Sequence, residues 1–438
     1  DQLSISGIAS LSNFLLENHP KLKKANEDIG TIMSSKMLLK GDAIVTAFGV
    51  AGTEASDSKR LISLLEKLDL SAHSNGQCGK IGLGTSNILS MACELLLNRS
   101  MESTFLLIEE PEAHVHAQRQ LRLIQSLQTE AATSGVNQQI IITTHSPLMA
   151  SVISLEHISI VKSAKVFSLR YGKTRLSKDD YVFLERYLDA TKANLFFAKA
   201  IMMVEGPSEE FLIPTISKII GKDFTEYGVS VVNVRGTGLR RFAKILQRAD
   251  AGETLDIRVS CMTDRDVMPN CAPAICIDQR YSDIALWPEK GKRNWKAECD
   301  FISQNERDLY LKRILERANG QQVKTFVANH WTFEYDLAYA GLADELIEAI
   351  VAVRYESQNR EQRIKDIQKK CEEFPDNESK SAYLYSYFSL KGTSKAEVAQ
   401  HLSFILETKY ASDPKALCER LPPYIRDAIN YVTEQEDA

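Results

Sequence analysis

Several features that define common protein classes are missing from this chain of 438 residues. No run approaches the roughly 20 uncharged apolar residues that a membrane helix needs, and the first residues lack the basic-then-apolar layout of a signal peptide. The eight cysteines form no CxxC pair, so neither a zinc ribbon nor a disulfide framework is indicated. We therefore expect a cytoplasmic protein with reduced thiols and no membrane contact.

Excess positive charge is also missing, since the net charge is −5. This balance argues against a binder of nucleic acid that works by overall charge, but it leaves room for a local basic groove. Two basic clusters stand out, one at Arg235, Arg240, Arg241, Lys244 and Arg248, and one at Lys290, Lys292, Arg293 and Lys296. A solvated surface is the simpler interpretation of each cluster alone.

The third absence is a phosphate-binding loop of the form GxxxxGK[ST]. The nearest string, GQCGKIG at residues 76–82, has a different glycine spacing and has Ile81 where the hydroxyl should be. The length of the chain and its 44% of hydrophobic residues nevertheless predict two or more globular domains.

Three segments of the first half have features of a nucleotide site. In IGLGTSNILSMACELLLNR (81–99), a glycine-rich turn at Gly84 precedes a helix with Ser86 as its predicted N-cap, and backbone amides at such a turn can hold a phosphate. The apolar run of STFLLIEEPE stops at Glu109 and Glu110, which suit a magnesium ligand and a base that polarises water. The strand in QQIIITTHSP places His145 near a terminal phosphate, although a loop histidine is the simpler interpretation of His145 alone.

In order and spacing, these three segments resemble the signature, Walker B and switch-histidine elements in the C-terminal half of an ABC-type ATPase head. Glu109 stands where the Walker B motif usually has aspartate. The half that carries the phosphate-binding loop is absent from this sequence. We therefore expect weak ATP binding and little ATP hydrolysis by the chain.

Residues 199–212, KAIMMVEGPSEEFL, combine an apolar strand with a turn at Glu205 and a helix start at Glu209. A second apolar strand, in DIRVSCMTDRD, ends at Asp264 and Asp266. Because the carboxyl ends of parallel strands meet at one edge of a sheet, the four acids are expected close together. Like charges in a partly dry site share a proton or bind a metal, and oxygen ligands suit Mg²⁺ or Mn²⁺. A good Gly-Pro turn and a favourable helix dipole are the structural explanation of the glutamates.

Lys395 is also in an unusual place on sequence grounds. Ser394 and Glu397 form a capping box, which puts the lysine at the first position of a helix, beside the positive end of its dipole. A cation directed at a scissile phosphate explains this placement, and an ordinary surface lysine explains it equally well.

The VEGPSE and TDRD pattern resembles the TOPRIM domain of primases, type IA and II topoisomerases, recombination mediators and OLD-family nucleases. Of these, only the last pair it in this order with an ABC-type head. NHWTFEYDLA (329–338) resembles the TLE-like segment of that family, with Phe333 in place of leucine, GTSKAEVAQHLSFIL (392–406) resembles its lysine-bearing helix, and PPYIRDAINYV (422–432) its C-terminal element. Residues 80–431 are thus similar to OLD-type ATPase-nucleases, which include the Gabija-type anti-phage nuclease.

The resemblance implies an α/β chain in which the C-terminal half of an ABC-type ATPase head is followed by a TOPRIM domain, a Rossmann-like parallel sheet with helical additions. The implied domains are a helical, dimerisation-like segment with a connection (1–80), the ATPase half (81–165), a linker (166–198) and the TOPRIM nuclease domain (199–438).

The implied activity is two-metal hydrolysis of DNA, with ATP as a regulator. The expected metal ligands are Glu205, Glu209, Asp264, Asp266 and Glu334, with Glu109 in the ATPase half. Lys395 would neutralise developing charge, and the expected DNA-binding residues are Arg235, Arg240, Arg241 and Lys244. The implied partners are DNA, further copies of the chain in a dimer or higher oligomer, and a helicase-like defence protein.

Two other classes are the alternatives. A topoisomerase needs a nucleophilic tyrosine in a separate DNA-gate domain and a primase usually a zinc module, and neither is identified among the 15 tyrosines and unpaired cysteines. A DNA clamp similar to SMC proteins would use the TOPRIM fold only for binding. The presence of all the expected acids weighs against that clamp.

Overall fold

The computed structural model describes residues 11, 14–37, 44–50, 68–74, 82–98, 103–133, 137–236 and 238–434. The chain divides into two compact units, Asp1–Val152 and Ile153–Ala438. Among the described residues, no helix is both long and apolar enough to cross a membrane.

Besides helical residues at 14–17, the described ranges of the first unit contain four helices and four strands. They are α1 (Pro20–Ile32), continued by a π-helical turn (Met33–Met37), β1 (Ile44–Val50), β2 (Leu68–Ser74), α2 (Leu83–Asn98), β3 (Ser103–Glu109), α3 (Ala117–Thr133), β4 (Asn137–Thr143) and the short α4 (Pro147–Ala150). Strands β1 and β2 pair antiparallel, and β3 and β4 pair parallel. The sequence predicts a helical segment with a connection over 1–80, and the described part of this region has helical residues at 14–17, helix α1 and a pair of strands. The pattern LISLLEKL (61–68) predicts a short helix, but residues 61–67 lie outside the described residues.

Helix α2 lies on the core of this unit with the apolar positions of a 3.6-residue repeat. Ile88, Ala92 and Leu95 are buried with Leu106 and Ile108 of β3. On the opposite face of β3, Phe105 and Leu107 are 59% and 68% exposed. The continuous apolar run predicts a strand buried on both faces, but in the described part of the chain only one face of β3 is covered.

The second unit is built on one four-stranded parallel sheet. Its strands are β7 (Ala200–Val204), β8 (Val229–Asn233), β9 (Arg258–Thr263) and β10 (Val323–Val327), in the spatial order β10-β9-β7-β8. All five residues of β7 are buried, which agrees with the apolar run AIMMV and the central position of this strand. The Rossmann-like parallel sheet expected from the sequence is confirmed.

Short elements and helices surround this sheet. Before it come the hairpin β5 (Ser159–Lys162) and β6 (Lys165–Ser168), and α5 (Lys178–Tyr187). Between and after the strands lie α6 (Pro207–Ile219), α7 (Phe224–Tyr227), α8 (Leu239–Ile245), α9 (Ala272–Cys276), α10 (Gln304–Glu316), α11 (Phe333–Leu337), α12 (Ala343–Arg354), α13 (Arg360–Glu372), α14 (Asn377–Ser386), α15 (Lys395–Tyr410), α16 (Pro414–Arg420) and α17 (Pro423–Thr433). Helix α17 packs on β7, β9 and β10, and α15 packs along α6.

The boundary between the units differs from the expected one. The sequence places the ATPase half at 81–165 and a linker at 166–198, whereas the structure assigns everything after Val152 to the second unit. Two non-local contacts explain this. The Arg248 guanidinium donates to the Ser168 carbonyl over 2.7 Å, and Arg241 pairs with Asp180 over 3.0 Å. These contacts hold β6 and α5 in the second unit. They join residues far apart in the sequence, so a local sequence pattern could not predict them.

The start of α2 gives a test of the first unit. A Cβ at Gly84 would lie 2.1 Å from the backbone oxygen of His114, so the backbone must shift to accommodate Gly84→Ala. We expect this variant to lower the stability of the unit by about 1–3 kcal/mol, the usual cost of overpacking. Gly82→Ala is the matched control, because a Cβ there meets nothing within 4 Å. Calorimetric unfolding of both variants checks this, and equal transition temperatures would contradict it.

Candidate functional site

The carboxyl ends of β7, β9 and β10 define the site. Strand β9 lies between the other two, with Met203 opposite Cys261 and Val327 opposite Thr263. Glu205 follows β7 directly and Asp264 follows β9 directly, so the register sets the two acids at the same edge of the sheet. This is the edge at which open α/β sheets bind their ligands.

Glu205 is held by the neighbouring strand. The Thr263 hydroxyl donates to Glu205 Oε1 over 2.9 Å. At the turn that follows, a Cβ on Gly206 would be 2.9 Å from Glu209 Oε2, so the glycine leaves room for the Glu209 carboxylate beside the backbone. Glu209 lies in the first turn of α6. The sequence motif VEGPSE therefore delivers two carboxylates through one turn.

Asp264 and Glu334 are joined through the start of α11. The Phe333 N–H donates to Asp264 Oδ1 over 2.9 Å, and Thr332 caps the same helix. Glu334 is buried, with the Ser208 hydroxyl donating to its Oε1 over 2.9 Å and Lys395 Nζ 2.8 Å from its Oε2. The segments around residues 205, 264, 334 and 395 are far apart in sequence and meet here.

Negative charge accumulates in this site. Burial raises the pKa of Glu205 to about 7, and the charge of Asp266 acts in the same direction. Burial and the charge of Glu334 raise the pKa of Glu209 to about 7. Burial raises the pKa of Asp264 well above its ordinary value, and the charges of Glu334, Glu209 and Glu205 add to the shift. The carboxylates expected as ligands therefore lie in one electrostatic neighbourhood.

Lys395 is the cation of this neighbourhood. Burial by itself lowers the pKa of Lys395, but the charge of Glu334 and the hydrogen bond to it outweigh burial and raise the pKa above its ordinary range. The ammonium also lies over the ring of Tyr385, 5.3 Å from the ring centroid. Ser394 caps α15, as the sequence predicts. The lysine therefore stays charged and directed at the acidic residues.

Asp266 differs from the other four acids. It is exposed and has a left-handed backbone, with φ of 55°. Within the described ranges, no three acidic, histidine or cysteine side chains already stand as a metal-ligand set. The chemistry of the donors nevertheless fits a hard divalent cation, because several carboxylates converge beside one lysine and such cations prefer oxygen ligands.

Three contacts of the site were not predicted from the sequence. Ser208 and Thr263 each stand next to a predicted ligand in the chain, so adjacency within GPSEE and MTDRD was the signal that could have revealed them. Tyr385 lies in α14 and had no such signal.

The predicted DNA-binding residues separate into two pairs. Arg235 and Arg240 are exposed, and each lines a cleft that reaches Glu205. Arg241 instead pairs with the buried Asp180, and its guanidinium lies 4.1 Å from the centroid of the Phe183 ring.

The expectation that Arg241 and Lys244 present free charge to DNA is not supported, because α8 packs on α5 and directs both residues towards Asp180. Burial alone raises the pKa of Asp180, but hydrogen bonds from Ser177 and Arg241 and the charge of Lys244 outweigh it and lower that pKa. Arg248, a further member of this basic cluster, is also buried.

The predicted nucleotide residues of the first unit lie at the ends of β3 and β4. Glu109 pairs with Thr143 across the strands, and His145 Nε2 is 3.4 Å from Glu110 Oε1. Glu109 and Glu110 line a cleft with Asn87 of α2. Ser86 is not the N-cap that the sequence suggested, because α2 begins at Leu83 and the serine lies inside the helix. Gly84 lies against His114 of the loop after β3.

Comparison with known proteins gives two adjacent matches in one chain. An AAA ATPase domain matches residues 10–150, and the TOPRIM domain of proteins like the overcoming lysogenization defect (OLD) protein matches residues 196–266. The chain thus combines an ATPase-domain match with an OLD-like TOPRIM-domain match. The ATPase match begins well before residue 81.

Proteins similar to this chain include the endonuclease GajA of Bacillus cereus, 25% identical over 219 residues, which cover 43% of this chain and 31% of GajA. The uncharacterised protein YbjD of Escherichia coli is 26% identical over 148 residues, 33% of this chain and 25% of YbjD. The chain thus spans a third or less of these curated relatives. The solved C-terminal region of the Burkholderia pseudomallei OLD protein aligns with 54% of this chain and 98% of its own, at 24% identity and a TM-score of 0.33.

The raised pKa values predict how stability depends on pH without metal. A carboxyl whose pKa rises on folding, from 4.5 to about 7 for Glu209, contributes stability that is fully present below about pH 4.5 and is lost as the pH rises through about 7. Because glutamine does not ionise, we expect Glu209→Gln to lose less stability than the unaltered chain as the pH rises. The difference at pH 8 should be at most about 3 kcal/mol. Denaturant unfolding in EDTA from pH 5 to pH 8 measures it.

The matched control is Glu210→Gln on the same turn of α6, where the glutamate is exposed. Its stability should follow the pH dependence of the unaltered chain. If the two variants have the same pH dependence, the burial of Glu209 is not its source.

Proposed function

We propose that the second unit is a metal-dependent DNA endonuclease. The observation that carries the proposal is the convergence of Glu209, Asp264, Glu334 and Lys395 beside Glu205, from segments up to 190 residues apart. Gathering like charges opposes folding, so a functional need for cation binding is the better explanation of the arrangement. The OLD-like TOPRIM match and the similarity to a relative named as an endonuclease support DNA as the substrate.

The proposed ligands are Glu205, Glu209, Asp264, Asp266 and Glu334. Mg²⁺ or Mn²⁺ held by them would supply positive charge at the scissile phosphate and lower the pKa of water for phosphodiester hydrolysis. The protein's own part is to fix the donors: Thr263 orients Glu205, the Phe333 N–H orients Asp264, and Ser208 orients Glu334. Lys395 then places a permanent positive charge next to the substrate phosphate.

The first unit is proposed to bind ATP as a regulator of DNA cleavage. Its proposed nucleotide residues are Gly84, Ser86, Glu109, Glu110 and His145, with Glu109 as metal ligand and Glu110 as base. We expect little ATP hydrolysis by these 438 residues alone, because they contain no GxxxxGK[ST] loop. The OLD-type resemblance also supports a cytoplasmic role in anti-phage defence, as a dimer or higher oligomer and with a helicase-like partner.

Cleavage of supercoiled DNA tests the nuclease proposal. We expect Glu205→Gln and Asp264→Asn to lower Mg²⁺- or Mn²⁺-dependent cleavage by about 100-fold or more, a loss typical for a group that stabilises the transition state. Glu210→Gln should cleave like the unaltered chain. Undiminished cleavage by both site variants, with their far-UV circular dichroism unchanged, would remove this site from consideration.

Lys395 has its own matched control four residues away. Lys395→Met should lower the cleavage rate by about 100-fold, because the ammonium paired with Glu334 is lost from the acidic site. Lys391→Met removes the same charge from an exposed position before α15 and should leave the rate unchanged. Equal rates for the two variants would show that Lys395 acts no differently from a surface lysine.

A further inference from the structure

A narrow cleft opens beside Glu205, between α8 and the end of α10. Glu205 and Thr263 form one side, Gly236 and Arg240 contribute from the turn and helix after β8, and Arg317 contributes from the residue that ends α10. Its volume is about 150 Å³. We call it the arginine cleft after Arg240 and Arg317.

The two arginines differ from their basic neighbours. Arg241 and Arg248 are engaged with Asp180 and Glu253, respectively. Arg240 and Arg317 are exposed, and in the part of the chain that the structure describes their guanidinium groups form no ion pair. Two guanidinium groups thus stand at the mouth of one small cleft with their donors available.

Arg317 also shares this cleft with Glu205, one of the carboxylates of the acidic site. The positive charge of Arg317 acts on Glu205 and on Tyr310, and Asp266 acts on both of these groups as well. Lys395 acts on Glu209, Asp264 and Glu334. The carboxylates therefore have one cation at the Glu334 end and a second cation at the Glu205 end.

A phosphodiester backbone matches this arrangement. A strand whose scissile phosphate lies at the carboxylates carries further negative phosphates on both sides, and these need cations beyond the cleavage point. The planar guanidinium fork binds two phosphate oxygens at once, which a lysine cannot do.

We propose that Arg240 and Arg317 bind a backbone phosphate adjacent to the one cleaved, on the Glu205 side of the site. This inference rests on the proposed nuclease function. Arg317 was not among the basic residues singled out in the sequence, since it stands 76 residues after Arg241 and joins Arg240 only through the fold.

The test is the salt dependence of DNA binding by the full chain. Fluorescence anisotropy of a labelled duplex, in Ca²⁺ buffer between 50 and 200 mM salt, gives the slope of log K against log[salt]. Each lost phosphate contact should reduce the magnitude of the slope by about 0.9. Between 50 and 200 mM salt, the fold-decrease in affinity of Arg240→Ala and of Arg317→Ala should therefore each be about 3.5 times smaller than that of the unaltered chain. The control is Lys312→Ala in α10. Lys312 is already paired with Glu316 over 3.7 Å, so this variant should keep the full slope.

Each outcome has one meaning. An unchanged slope for both arginine variants, or no binding by the unaltered chain at 50 mM salt, overturns the phosphate site. A reduced slope in a chain that cleaves no DNA with Mg²⁺ or Mn²⁺ supports the phosphate site and contradicts the nuclease. Cleavage with unaltered slopes supports the nuclease and contradicts the arginine cleft.

Discussion

Mutual repulsion between carboxylates is the constraint on which the second unit depends. The parallel sheet fixes Glu205 and Asp264 side by side through backbone hydrogen bonds that are independent of either side chain. The carboxylates cannot separate without disrupting strand order, and burial denies them full hydration. The fold can respond only by raising their pKa values and by bringing Lys395 to Glu334. The helices α6, α11 and α15 are placed as these contacts require.

The two units use the same local design with different burial. Each places acids at the end of an apolar parallel strand: Glu109 is the last residue of β3 and Glu110 follows it, and Glu205 follows β7. In the first unit the acids are exposed, whereas in the second Glu205, Glu209, Asp264 and Glu334 are half-buried or buried. Their electrostatic difference therefore comes from the elements packed over the strand ends and not from the strands.

The sequence predicted the features that depend on neighbouring residues. The apolar run before Glu205, the turn at Gly206, the cap at Ser394 and the strand before Asp264 are all local patterns, and the structure has each of them. The predictions that were wrong concern residues whose position depends on a partner far away in the sequence. Ser86 is inside its helix because α2 begins earlier, at the close contact between Gly84 and His114. Arg241 faces Asp180, 61 residues away, so its basic cluster in the sequence is not one surface in the fold.

The ion pair between Glu334 and Lys395 has a consequence for biosynthesis. The two residues are 61 positions apart in the chain, and α12, α13 and α14 lie between them. On the ribosome, all five acids are synthesised before the lysine, and α15 can dock along α6 only after its last turn has been released. A nascent chain thus holds an unbalanced acidic pocket until α15 has been synthesised, and the docking of α15 both neutralises this pocket and completes the site.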